Sequence, residues 1–198
     1  MKRKIVDIGV VTLMISIGNI LAWIINIIMG GGSIWGLFLS GGGYLKELGE
    51  AEFQAVILRH EWWRLITCGY LHIGVFHLAA NIYTFLIVGS SMEKYLGHTR
   101  FFILYHAGMA VNAFLWCLMF KNGSMVGASI GIFVILGFYA ARYRLDKSLK
   151  GFQLSRGQLN YIISYVVIGC LLGIGTIAVH LIGFVIGLII GFYTPSSH

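Results

Sequence analysis

Val126-Gly127-Ala128-Ser129-Ile130-Gly131 opens an apolar run that continues to about Tyr143, and it sets one hydroxyl among small residues at the head of that run. The pattern recurs elsewhere. His77 with Asn81, and separately His180, stand in apolar segments far away in sequence. Polar side chains buried in apolar surroundings are costly unless they find partners. Where the chain brings these groups therefore decides both its fold and its chemistry.

The composition points to lipid as the main solvent. Of 198 residues, 58% are apolar, and the mean hydropathy is +0.86. That is too apolar for an ordinary soluble globule. Pro195 is the single proline, and there is no Ser/Pro-rich or charge-run linker, so one domain covering residues 1–198 is expected. The net charge of +7 has a simple source in the extra Lys and Arg of cytoplasmic loops. No basic stripe is interleaved with aromatics in a polar context, which argues against nucleic acid as a partner. Cys68, Cys117 and Cys170 lie in separate segments without a C-x-x-C pair, so they form neither a zinc knuckle nor a disulfide framework.

Met1-Lys2-Arg3-Lys4 precedes an apolar run from Ile5 to about Met29. A signal-peptide core is only about 7–15 residues long; this run is long enough to cross about 30 Å of hydrocarbon. It reads as a first transmembrane helix that is retained. The connection from about Gly30 to Tyr70 carries two Gly triplets, four acids, Ile34-Trp35-Gly36-Leu37-Phe38-Leu39 and Trp62-Trp63. So much apolar surface, with Trp that favours the interface, suggests a compact loop half-sunk in one leaflet. Five further apolar segments follow, at about Leu71–Met92, Phe101–Phe120, Val126–Tyr143, Leu159–Ile174 and Thr176–Tyr193. Their lengths and the lack of strand-like alternation predict an all-α membrane protein, a bundle of six transmembrane helices with a large outer loop between helices one and two.

Basic residues set the orientation. With the N-terminus inside, ten Lys and Arg fall on the inner side and four on the outer, as the positive-inside rule requires. Both termini are then cytoplasmic in a multi-pass protein of the cell membrane, and the large loop is outside. The second, fourth and sixth spans all descend from the outer side. At about 1.5 Å per residue, His77 with Asn81, Ser129 and His180 then lie on the order of 5–15 Å below the outer ends of their helices. Three helices thus carry polar groups to one depth.

The residue types suggest acyl transfer. A Ser hydroxyl becomes a nucleophile when a base takes its proton, and neutral imidazole suits that role. No Asp or Glu stands in a span near this level, so a Ser129–His180 dyad is expected rather than a triad. The oxyanion needs donors, which Asn81, His77 and backbone N–H groups at the start of the fourth helix can supply. Gly183, Gly187 and Gly191 follow His180 at Gly-x-x-x-Gly spacing, which lets helix backbones approach closely. The same spacing serves plain helix packing.

From about Glu61 to Gly191 the chain resembles the rhomboid intramembrane serine proteases. The residues that carry the resemblance are Trp63-Arg64, Leu71-His72, His77-Leu78-Ala79-Ala80-Asn81 and Gly89-x-x-x-Glu93-x-x-x-Gly97. Gly127-Ala128-Ser129 with Phe133, and His180-x-x-Gly183-x-x-x-Gly187, complete the set. The resemblance implies Ser129 as nucleophile and His180 as base. It implies an oxyanion hole of His77, Asn81 and the Ser129 N–H, and Phe133 packed on the imidazole. Gly127, Arg64 and Glu93 would be supporting residues, with Arg64 fixing the outer loop and Glu93 anchoring the inner end of the second helix. Two positions depart from the family pattern. Ile130 stands where Gly usually follows the nucleophile, and Thr176-Ile177-Ala178-Val179 precedes His180 without the usual small residue and polar pair. Neither removes a reacting atom.

The implied activity is cleavage of transmembrane protein substrates in or beside their helices, with an active site opening to the outer side and no metal or cofactor. The main competing reading is a catalytically weak or inactive rhomboid-like protein that binds membrane clients. A transporter fits less well, because the polar cluster stops in the outer half and no inverted repeat is visible. His60-Glu61-Trp62-Trp63-Arg64 lacks the second His of H-E-x-x-H, which counts against a zinc protease.

Overall fold

The computed structural model describes residues 8–29, 44–146, 154–171 and 173–195, and six long helices dominate them. These are α1 (Val10–Met29), α4 (Val75–Leu96), α5 (His98–Met119), α6 (Ser129–Leu145), α7 (Arg156–Leu171) and α8 (Ile174–Tyr193). The short helices α2 (Tyr44–Gly49) and α3 (Arg64–Thr67) lie between α1 and α4. Helices α1, α4, α5 and α8, of 20, 22, 22 and 20 residues, are long and apolar enough to cross a membrane. Helices α6 and α7 are shorter, at 17 and 16 residues. Lys2, Arg3, Lys4, Lys147 and Lys150, and the apolar stretch Ile34–Leu39, lie outside the described residues.

Helix α6 is the axis of the bundle. Its sequence is apolar on every face, so it can be covered all round, and 12 of its 17 residues are buried. Helix α8 makes its most extensive contact with α6, and glycine is the reason. A Cβ on Gly137 would stand 2.0 Å from the Phe184 carbonyl oxygen, and one on Gly187 would stand 2.0 Å from that of Val134. The two backbones touch directly, as close-packed Gly faces allow. Helix α7 is at the rim, with Ile162 and Gly169 its buried residues.

Helix starts differ from the expected segment starts where the chain bends. Helix α6 begins at Ser129 rather than Val126, because Val126-Gly127-Ala128 is a turn tied to the connection between α1 and α4. The Gly127 N–H donates to the Cys68 carbonyl at 2.9 Å. Helix α4 begins at Val75 rather than Leu71 and runs on to Leu96. The connection itself is folded. Strand β1 (Ala51–Glu52) pairs antiparallel with β2 (Ser124–Met125), with Ala51 opposite Met125 and Glu52 opposite Ser124. Four residues after β2 comes Ser129, so the connection is laced to the segment that presents it.

Charges gather at the other end of the bundle. The Glu93 carboxylate accepts the Val11 N–H at 2.9 Å, the Thr12 N–H at 2.8 Å and the Thr12 hydroxyl at 2.8 Å. It caps the N-terminus of α1, where unpaired N–H groups and the helix dipole favour a negative group. His98 also contacts it. Arg142, 2% exposed, donates to the Thr194 carbonyl at 2.7 Å, the Tyr95 hydroxyl at 3.0 Å and Asp146 Oδ2 at 3.2 Å.

Candidate active site

Ser129 is the first residue of α6 and is 6% exposed. The two residues before it are held in place. Gly127 has φ 127°, a conformation in the range that favours glycine. A Cβ there would also lie 2.7 Å from the His77 ring, so the position excludes larger residues twice over. The Ala128 N–H points to His72 Nε2 at 3.4 Å. Ile130 and Gly131 N–H groups turn back to the Gly127 and Ala128 carbonyls, while among the described residues no acceptor takes the Ser129 N–H. That unused donor sits at a helix N-terminus, where negative charge is favoured.

Helix α4 brings His77 and Asn81 to the same place from one face. Asn81 Nδ2 donates to the His77 carbonyl at 3.0 Å, and Asn81 Oδ1 accepts the Tyr165 hydroxyl of α7 at 2.6 Å. The carboxamide is therefore oriented from both ends. One turn before Tyr165, the Tyr161 hydroxyl donates to the Ala80 carbonyl at 3.2 Å. Two tyrosines thus clasp α7 to α4. The Ser129 side chain interacts with Tyr165 as well, so α7 reaches both the serine and the carboxamide. His77 meets His72 edge-on, with ring centroids 4.9 Å apart.

His180 lies flat on Phe133, with ring centroids 3.9 Å apart and an interplanar angle of 6°. Phe133 is one turn after Ser129 on α6. The Cε1 edge of the imidazole approaches the α7 backbone, where a Cβ on Gly169 would stand 2.7 Å from the ring. The imidazole thus meets an aromatic ring on one face and a bare backbone at one edge. Its Nδ1 is buried without a hydrogen-bond partner among the described residues. No hydrogen bond joins Ser129 to His180 in this structure; such contacts often tighten only in the loaded complex.

Arg64 and Glu93 stand apart from this cluster. Arg64 is 5% exposed and holds the connection together. Its Nη1 donates to the Glu47 and Glu50 carbonyls at 2.8 and 3.0 Å, and its Nε pairs with Glu61. Hydrogen bonds from Arg59 and then Arg64 hold the Glu61 carboxyl below its usual range. Glu93 is at the far end of α4, on the α1 N-terminus. No three His, Cys, Asp or Glu side chains among the described residues converge to hold a metal ion.

Residues 59–197 match the Rhomboid domain. The chain belongs to the rhomboid family. It is a multi-pass membrane protein with a rhomboid membrane fold. Its sequence is 30% identical over 154 residues to RHOMBOID-like protein 1 of Arabidopsis thaliana, covering 75% of this chain and 38% of that protein. It is 32% identical over 147 residues to Rhomboid protease GluP of Bacillus subtilis (strain 168), covering 74% of this chain and 28% of the relative. Inactive RHOMBOID-like protein 8 of Arabidopsis thaliana is 28% identical over 93 residues, or 47% of this chain and 26% of that protein. The chain spans less than half the length of the relatives it matches. Rhomboid relatives named as protease and as inactive thus both match.

Four residues around this candidate site do not stand out in the sequence. They are Asn112, Tyr161, Tyr165 and Gly169. Asn112 gave a usable signal, a carboxamide inside an apolar run, the same one that marked Asn81. The tyrosines gave none, since Tyr is ordinary near a membrane interface. Gly169 reads as one small residue among many. Ile130, the departure beside Ser129, is 1% exposed, and its side chain belongs to the hydrophobic core.

Proposed function

We propose that this chain is an intramembrane serine endopeptidase with a Ser129–His180 dyad. The observation that carries the reading is the company Ser129 keeps. It starts a helix with its own N–H unused, beside Asn81 and His77, one turn from the ring on which His180 is stacked. In the reaction, Ser129 Oγ attacks a substrate carbonyl while His180 takes its proton. The oxyanion is met by the Ser129 N–H, Asn81 Nδ2 and the His77 ring. His180 then protonates the leaving amine, and a water attacks the acyl-enzyme with His180 again as base. No carboxylate among the described residues touches His180, which fits a dyad. Phe133 and Gly127 shape the site, Arg64 steadies the connection, and Glu93 anchors α1.

The reading extends to topology. All six long helices cross the cell membrane, α6 and α7 where the bilayer thins. Both termini are cytoplasmic and the site opens to the outer side. Substrates are transmembrane proteins cut in or beside their helices, and no cofactor takes part. A second reading, a weak or inactive client-binding rhomboid, is favoured by the missing Ser129–His180 hydrogen bond and by Ile130.

Labelling with a serine-directed fluorophosphonate separates the two. The protease reading expects wild-type protein to label and to cleave a panel of single-span substrates, with both activities lost in Ser129→Ala and His180→Ala. A folded wild-type protein that neither labels nor cleaves overturns it.

A further inference from the structure

Asn112 projects from α5 into the seam between α6 and α8, and it is 0% exposed. Its Nδ2 donates to the Ile130 carbonyl at 2.8 Å and to the Val179 carbonyl at 3.0 Å. Those two carbonyls are informative. Ile130 directly follows Ser129, and Val179 directly precedes His180. One amide nitrogen with two hydrogens therefore links the backbone beside the hydroxyl to the backbone beside the imidazole. The notch it fills is made by glycine, since a Cβ on Gly183 would lie 2.6 Å from that same nitrogen. Trp116, one turn further along α5, donates to the Gly175 carbonyl near the start of α8 at 2.9 Å. Helix α5 thus grips α8 at two successive turns.

The direct backbone contacts of Gly137 and Gly187 lie deeper, about two turns past Ser129 and His180. They bring α6 and α8 together, and towards the Ser129 ends the approach continues with Gly183 against Phe133 and the Ile130 carbonyl. We infer that Asn112 is a positioning residue that sets the spacing between Ser129 and His180 by tying these two ends together. The inference rests on the dyad reading proposed above. Acyl transfer needs reacting atoms about 3–3.5 Å apart, and a 1 Å misplacement costs roughly 100-fold. A two-point tie one residue from each group has that leverage.

The test compares wild type, Asn112→Leu and Asn112→Asp, with Thr12→Val as a control that loses a hydrogen bond at the opposite end. Leu keeps the volume without donors; Asp keeps the shape but sets oxygen against two carbonyl oxygens. Each variant is first shown to be folded by tryptophan fluorescence and its unfolding midpoint. The readouts are the rate of fluorophosphonate labelling, the kcat and KM for a single-span substrate, and amide hydrogen exchange of residues 129–136 and 176–183. Asn112→Leu is expected to slow labelling and kcat by roughly 10- to 100-fold with KM little changed, and Asn112→Asp by more. Exchange should quicken in both peptides while α1 is unaffected. Thr12→Val should label at the wild-type rate at temperatures where it is folded.

Wild-type labelling and exchange rates in folded Asn112→Leu overturn the inference. So does a loss of activity that only tracks stability, matched by an equally destabilised Thr12→Val. If wild type itself fails to label, the dyad reading falls. Exchange then judges the tie alone: local loosening upholds it, and unchanged rates overturn it.

Discussion

The two ends of the helix bundle treat buried polar groups in opposite ways. At the Glu93 end, charges are enclosed by partners. Glu93 takes three hydrogen bonds from Val11 and Thr12 and meets His98. Arg142 is shared between Tyr95, Asp146 and the carbonyls at the end of α8. At the Ser129 end, neutral groups are left partly unused. Six buried side-chain polar atoms among the described residues lack a partner, and four belong to His72, His77, His180 and Asn112. A fifth, the Tyr105 hydroxyl, is on the ring packed against Gly131. Saturated networks hold structure, because removing one member leaves a charge uncompensated. Unused donors and acceptors raise the free energy of the resting site. The contrast separates the part of the molecule that holds the helices from the part proposed to do chemistry.

The largest expected effect breaks the contrast at its chemical end. Ser129→Ala should abolish fluorophosphonate labelling and lower substrate cleavage at least about 1000-fold, while the unfolding midpoint in detergent changes little. Large loss of stability there would mean that Ser129 is a packing group. At the other end, Arg142→Met should lower unfolding free energy by about 3–5 kcal/mol, because Asp146 loses its buried cation. Activity of the fraction that remains folded should persist. Retained stability would show that the Arg142 cluster does not hold α6 to the end of α8.

Two smaller effects sharpen the picture of the Ser129 end. Asn81→Ala should lower kcat by roughly 100-fold, the usual result of losing one oxyanion donor, with less effect on KM. An unchanged kcat would remove Asn81 from the oxyanion hole. Tyr165→Phe deletes one hydroxyl and should change stability by about 1 kcal/mol. Because the α7–α4 clasp then depends on Tyr161 alone, α7 amides should exchange faster. Unchanged exchange would show that the Tyr165–Asn81 bond orients the carboxamide without restraining α7.

Much of the site was legible because hydrophobic context makes polar residues conspicuous. His77, Asn81, Ser129 and His180 stood out as polar side chains in apolar helices, and helical rise placed them at one depth. Gly187 was legible too, since Gly at four-residue spacing signals close backbones. Tyr165, Tyr161 and Asn112 were not placed, for a different reason. Their importance lies in hydrogen bonds to Asn81, Ala80, Ile130 and Val179 on other helices. Such partners depend on how helices rotate against one another, and nothing within a single helix encodes that. The turn at Val126-Gly127-Ala128 was also read as helix. Its apolar character is the same in either conformation, and only the hydrogen bond to Cys68 and the crowding by His77 decide it.

The sequence by itself determined the long helical segments and which of them carry polar groups, and it suggested acyl transfer. These are local properties, set by the span of apolar runs, the rise of a helix and the reactivity of side chains. Tertiary structure alone decided which nitrogen ties the Ile130 and Val179 backbones, and which helix reaches the Asn81 amide. Those outcomes come from long-range packing, where a missing Cβ at Gly127, Gly169 or Gly183 makes room for a specific neighbour. The same glycines are visible in the sequence, but their neighbours are chosen by the fold.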